Sequence, residues 1–217
     1  MRLATEDSIW HPVCRRPARD GTDGPATVTD GMNVAPILPI RTATEYDDEE
    51  RLVAELDGLG ISYLSRRAPV HAAAWPPRSP RLLIGDLLGQ RSARVRLVIV
   101  ALLLARPDLW PDVRAVHGQL AGRVRHTLML YYTAAMFLQR LHAARLEQQL
   151  GASFEFLPDL FGDALGIDCD LSPEVGLRVL AQTHSRLTGS ELNWEGTYRS
   201  VAERLLRQWQ LEARWRS

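Results

Sequence analysis

The sequence predicts an all-α fold: a single, bundle-like domain of about seven helices preceded by a disordered N-terminal segment. Three observations predict it. Apolar residues recur at helical spacing through most of residues 44–210. Helix punctuation, with Ser or Thr beside Pro at starts and Gly at ends, separates those stretches. Strand-like alternation is nearly absent, and the chain has neither an internal repeat nor a sustained heptad.

Residues 1–43 differ from the rest. They hold Gly21, Gly24, Gly31, five prolines and many Thr and Asp, with no period. They are expected to be disordered, with the ordered domain spanning 44–217. Met32 lies within them and is a candidate natural start.

The first helix is expected from Thr44, where Thr44 and Asp47 suggest a capping box and Asp47 to Glu50 suit the helix dipole. Leu52, Val53, Leu56 and Leu59 form its apolar face, and Gly58 and Gly60 stop it. Ile61–Leu64 reads as a short extended piece, and 66–80, with four prolines, as a linker or wrapping loop. Ser79 and Pro80 then start a helix with Leu82, Leu83, Leu87 and Leu88 on its apolar side. Ser92 starts another that runs to Arg106 and ends at Pro107. Pro111 begins the next, interrupted at Gly118 and Gly122.

One long helix is expected from Arg123 to Leu150, closed by Gly151. Two adjacent apolar stripes, Val124, Leu128, Tyr131, Ala135 and Leu138 beside Leu130, Ala134, Phe137 and Leu141, make it the central helix. Phe154–Leu171 is an irregular connection. Ser172 and Pro173 start a helix that Gly189 stops, and the last helix begins after Asn193.

Charge is zero overall: 26 basic residues, all Arg, against 26 acids. The absence of Lys excludes Schiff-base and P-loop lysine chemistry. Neutrality hides a pattern. Residues 81–150 carry ten Arg and four acids, while both flanks are net acidic. Neutralisation of this basic middle by the acidic flanks is the favoured expectation. The competing one is an exposed Arg face for an acidic protein or nucleic acid, since guanidinium suits bidentate contact with carboxylate or phosphate.

Catalytic signals are weak. No Walker, GxSxG, GxGxxG or HExxH pattern occurs. Cys14 and Cys169 stand apart, and acids flank Cys169, which disfavours a thiolate. The acids Asp159, Asp163, Asp168, Asp170 and Glu174 read as turn formers rather than metal ligands. No metal or cofactor is expected. Arg178 and His184, and also Arg66 and His71, fit the Arg-then-His spacing of HEPN-type helical ribonucleases. A chain with this many Arg and six His produces such pairs by chance as often as they are seen here. The helix pair 79–89 and 92–105, with Gln90, Arg91, Ser92 and Arg94 at the second N-terminus, suggests a helix-turn-helix, although Leu97–Ala105 lacks the polar face of a recognition helix.

Three stretches together resemble a family: Ser92 to Pro107 (SARVRLVIVALLLARP), Leu157 to Asp163 (LPDLFGD), and Asn193-Trp194 followed by Gly196-Thr-Tyr-Arg199. They are similar to uncharacterised helical bacterial proteins that accompany minimal nucleotidyltransferases in toxin–antitoxin-like pairs. The resemblance spans roughly 45–210. Its motifs are hydrophobic and structural, so it implies a protein partner and carries over no catalytic residue.

The expectation is therefore a non-enzymatic, cytoplasmic interaction protein. Arg91, Arg94, Arg114, Arg123, Arg125, Tyr132 and Trp194 are its candidate partner-binding residues, the aromatics being frequent interface anchors. The longest apolar run, Leu97–Ala105, is too short to span a membrane, and no secretory leader is evident. The alternatives are a ribonuclease using Arg178 and His184, and a DNA-binding regulator reading through Arg91 and Arg94.

Overall fold

A computed structural model describes residues 43–63 and 78–216, and the side chains of 49–63 and 78–215. The N-terminal segment 1–42 with Cys14, the residues 64–77 with Arg66 and His71, and the side chains of Thr44 and Asp47 lie outside that description. The described residues contain no strand. They form ten α-helical segments: α1 (Ala43–Gly58), α2 (Pro80–Gly89), α3 (Ala93–Arg96), α4 (Val98–Ala105), α5 (Trp110–Gln119), α6 (Gly122–Leu141), α7 (Ala143–Leu150), α8 (Gly162–Leu165), α9 (Pro173–Thr188) and α10 (Trp194–Arg216).

The fold class is as expected; the helix number is not, for three local reasons. The helix expected over 92–106 breaks at Leu97 into α3 and α4. The helix expected over 123–150 breaks at His142, whose backbone (φ −113°, ψ 20°) leaves the helical region, giving α6 and α7. The connection 154–171 contains the single turn α8. Gly118 does not interrupt α5, which runs through it to Gln119.

Helix punctuation is used at some boundaries and not at others: Ser92 and Ser172 precede α3 and α9 without a side-chain capping hydrogen bond. α1 begins at Ala43, so Thr44 falls inside it, and the chain leaves it at Gly60 (φ 81°). At α2 the Ser79 side chain accepts a hydrogen bond from the Leu82 amide, with Pro80 at the first helical position. Gly189 ends α9 in the left-handed region. Asn193 caps α10 by accepting from the Gly196 amide at 2.9 Å. A Cβ at position 196 would lie 2.8 Å from the Asn193 amide nitrogen, so a larger residue there would push on the capping side chain.

α6 is the central helix. It packs against α4, α9, α10, α2, α5, α7 and α8. Its residues from Leu128 to Gln139 are all buried, which is why two apolar stripes are needed. α4 is buried at every one of its eight positions. Each large aliphatic side chain so placed contributes roughly 1.5–3 kcal/mol of transfer free energy. Two apolar residues read as core lie at the surface. Leu82 is exposed because α2 turns Leu83, Ile84, Leu87 and Leu88 inward, and Val124 because the first turns of α6 project past the core.

Polar ties hold the connections. Gln139, fully buried on α6, donates to the Glu155 carbonyl (2.6 Å) and accepts from the Leu157 amide (2.7 Å). Gln208 on α10 accepts from the Ser62 and Tyr63 amides and donates to the Gly60 carbonyl, where the Trp209 indole N–H also donates. The turn after α1 is thereby fixed to α10. Among the described residues no helix is long and apolar enough to cross a membrane.

Candidate functional site

The ten arginines of 81–150 divide by what they touch. Two make local ion pairs: Arg81 with Asp112 (2.9 Å) and Arg106 with Asp108 (2.7 Å). Two act on main chain: Arg96 donates to the Gln90 and Arg91 carbonyls, and Arg140 to the Cys169 carbonyl. The acid Asp86 is taken by Arg78, which also pairs with Glu55. What remains is on the outside. Arg94 on α3, Arg114 on α5, and Arg123 and Arg125 on the first turn of α6 are exposed and meet no acid among the described residues. Arg91, in the turn between α2 and α3, and Arg145 on α7 are also exposed.

The α5–α6 corner collects most of this charge. Arg125 donates to His117 Nε2 at 3.0 Å, so guanidinium faces a neutral imidazole. Burial against Phe161, and then the Arg125 charge, hold His117 below its ordinary pKa. His126 Nδ1 is 3.0 Å from the Gly122 carbonyl, and Thr127 donates to that of Arg123. Arg114 extends from the adjoining helix. No acid lies in the first turn of α6, so its positive dipole end adds to this field. The corner is a cationic surface without internal neutralisation among the described residues.

The two aromatics in the expected interface are corrections. Tyr132 is fully buried; its hydroxyl donates to the Pro158 carbonyl (2.8 Å) and its ring meets Phe161 edge-on. Burial, with Asp159 nearby, holds its pKa above the ordinary value. Trp194 is also buried, stacked on His184 with ring centroids 3.4 Å apart. Both occur where apolar surface has to be covered, and sequence spacing does not separate a core aromatic from an interface anchor.

Arg178 and His184 are not brought together. They lie six positions apart on α9; Arg178 is exposed, reaching Glu195 at 4.0 Å, whereas His184 is 2% exposed. His184 Nδ1 shares a 2.5 Å hydrogen bond with the Tyr198 hydroxyl, and burial pushes its pKa down to about 4. The imidazole is neutral, enclosed by Tyr131, Trp194 and Tyr198, and inaccessible to a substrate phosphate. For the helix-turn-helix pattern, α3 is a single turn and α4 has no exposed residue to enter a groove.

The acids of the 154–171 connection form turns. Asp159 Oδ1 accepts from the Phe161 and Gly162 amides, and Asp168 Oδ1 from the Asp170 amide. Among the described residues no three His, Cys, Asp or Glu side chains converge. Cys169 is buried, and burial together with a hydrogen bond to Asp159 pushes its thiol up to about 12, so it stays protonated. The sequence missed one concentration of charge, the outer face of α10 with Arg199, Arg204 and Arg207, because it lies in a segment whose net charge is negative. Compared with known protein families, characterised proteins and solved structures, the chain matches none.

Proposed function

We propose that this chain is a non-enzymatic binding protein that docks an acidic surface of a partner protein on the arginines at the α2–α3 turn and the α5–α6 corner. The observation that carries the reading is the exposure of Arg94, Arg114, Arg123 and Arg125 without an acidic neighbour among the described residues. These four guanidiniums are exposed on helices, and a guanidinium matches a carboxylate bidentately. The arrangement supports binding by steering and register more than by buried area. The sequence likeness to companions of minimal nucleotidyltransferases makes such an enzyme the first partner to test, in a toxin–antitoxin-like pair.

The test is co-purification of the tagged full chain, at native expression level, with the product of the neighbouring gene. The expected result is a stoichiometric complex that weakens with salt and is lost in the Arg114→Glu/Arg123→Glu double variant. Recovery of the wild-type chain alone, or a complex indifferent to the double variant, would overturn the reading.

A further inference from the structure

The outer face of α10 is a second surface, distinct from the corner just described. α6 is 20 residues long, so its two ends stand about 30 Å apart. The arginine corner is at its N-terminal end. At its C-terminal end is His142, in the electrostatic reach of Arg145, Glu203 and Arg199. There a groove of about 340 Å3 runs along α10, lined by Gly196, Arg199, Ser200, Glu203, Arg204 and Arg207.

These positions follow from the helix itself. The core face of α10 carries Tyr198, Val201, Ala202, Leu205, Leu206 and Trp209, all buried. At about 100° per residue, Ser200, Arg204, Arg207, Leu211 and Trp215 fall on the opposite side as one row. Leu211 is 46% and Trp215 86% exposed, the latter the most exposed large apolar side chain among the described residues. The row is therefore cationic in its first half and apolar in its second. Arg199 is tied to Glu195 at 3.1 Å, while Arg204 and Arg207 are exposed and meet no acid in hydrogen-bonding range among the described residues. The Tyr63 amide donates to Gln208, and its phenol lies within electrostatic range of Arg204 and Arg94.

We infer that this face is a docking site for an amphipathic helix of a partner protein, one with acidic residues followed by an apolar anchor. Charge complementarity selects the acidic half: Arg204 and Arg207 present guanidiniums that a carboxylate can bridge. The exposed Leu211 and Trp215 select the apolar half, since an amphipathic helix laid along the row covers both. Glu203 selects protein over nucleic acid. A carboxylate in the middle of the groove repels a continuous phosphate backbone, whereas a peptide can place a basic residue or amide opposite it. This inference does not depend on the arginine corner being an interface.

The probe is a synthetic helical peptide of about 18 residues, long enough to lie along the row, with paired glutamates in its first half and leucines in its second. A single-stranded oligonucleotide of similar length is the second arm. Binding to the full chain is read by fluorescence anisotropy of the labelled probe. The expected result is peptide binding that Arg204→Glu/Arg207→Glu weakens at least about tenfold and Trp215→Ala weakens separately, with Arg114→Glu/Arg123→Glu leaving it unchanged. Circular dichroism of each variant confirms that the helices persist. Absence of peptide binding, binding indifferent to the α10 variants, or tighter capture of the oligonucleotide by the same arginines would each overturn the inference.

Discussion

Gln139 and Arg125 sit on the same helix, about four turns apart, and have opposite relations to the fold. Gln139 is fully buried, and both ends of its amide are engaged with the main chain of the 154–157 connection. Arg125 is exposed, and its described contact is a neutral imidazole. Both the nitrogen and the oxygen of the first amide hold the chain in place, and burial keeps them from another molecule. The second keeps most of its five donors for something outside. The same contrast separates His184, enclosed with Tyr198 and Trp194, from Arg114 and Arg123 at the corner. The buried polar residues are architecture, and the groups that meet no acid among the described residues lie on the outside.

The largest effect should come from breaking the interior side of this contrast. Gln139→Ala leaves the buried Leu157 amide and the partly buried Glu155 carbonyl without their side-chain partner and opens a void beside α6. At roughly 1–3 kcal/mol for each unsatisfied group, the loss should reach about 4 kcal/mol in chemical denaturation. A loss under about 1 kcal/mol would show that water reaches this connection and that the tie is not structural.

His184 gives the next effect, and it depends on pH. Its folded pKa is lowered to about 4 by burial, against 6.5 for the ordinary imidazole. Folding thus favours the neutral form. The associated stability is complete above pH 6.5 and is lost as pH falls from there through the folded value. A shift of this size corresponds to about 3 kcal/mol. His142 and His117, also lowered by burial, add smaller contributions of the same sign. His184→Gln keeps an acceptor for Tyr198 but cannot titrate. Denaturation midpoints followed between pH 7 and 4, a range spanning the two His184 pKa values, should fall more steeply for the wild type than for this variant. Equal slopes would mean that His184 is already open to solvent.

Much of the architecture was legible because it is written in local rules. Ser79–Pro80, Gly189 and Asn193 bound helices through hydrogen bonds and backbone angles that depend on a few neighbouring residues. The breaks at Leu97 and His142 were not legible, because neither residue forbids a helix. The chain bends there to bring α3 against α2 and α7 against α10, contacts that local sequence does not carry. The candidate site divides in the same way. The exposed arginines were named from charge runs, which bias residues toward solvent. Tyr132 and Trp194 were misplaced because an aromatic on a helix suits a core and an interface equally. The α10 row went unseen because the charge of its segment was summed, and summation cancels Arg204 and Arg207 against acids most of which lie outside α10.

The smallest effect on stability should come from the outside of the contrast, and its smallness is what makes it informative. Arg114→Ser/Arg123→Ser removes two guanidiniums that meet no acid among the described residues. Surface substitutions away from caps and cores stay within about 0.5 kcal/mol, and neither residue caps a helix or covers the core. If the corner is unneutralised, removing two exposed positive charges should leave the denaturation midpoint unchanged or raise it slightly, and the gain should shrink as salt is added. A clear destabilisation at low salt would show that Arg114 or Arg123 is paired with acids beyond the described residues, as the acidic flanks of the sequence first suggested. That outcome would make the corner an internal contact like Gln139 and would remove the observation on which partner binding there rests.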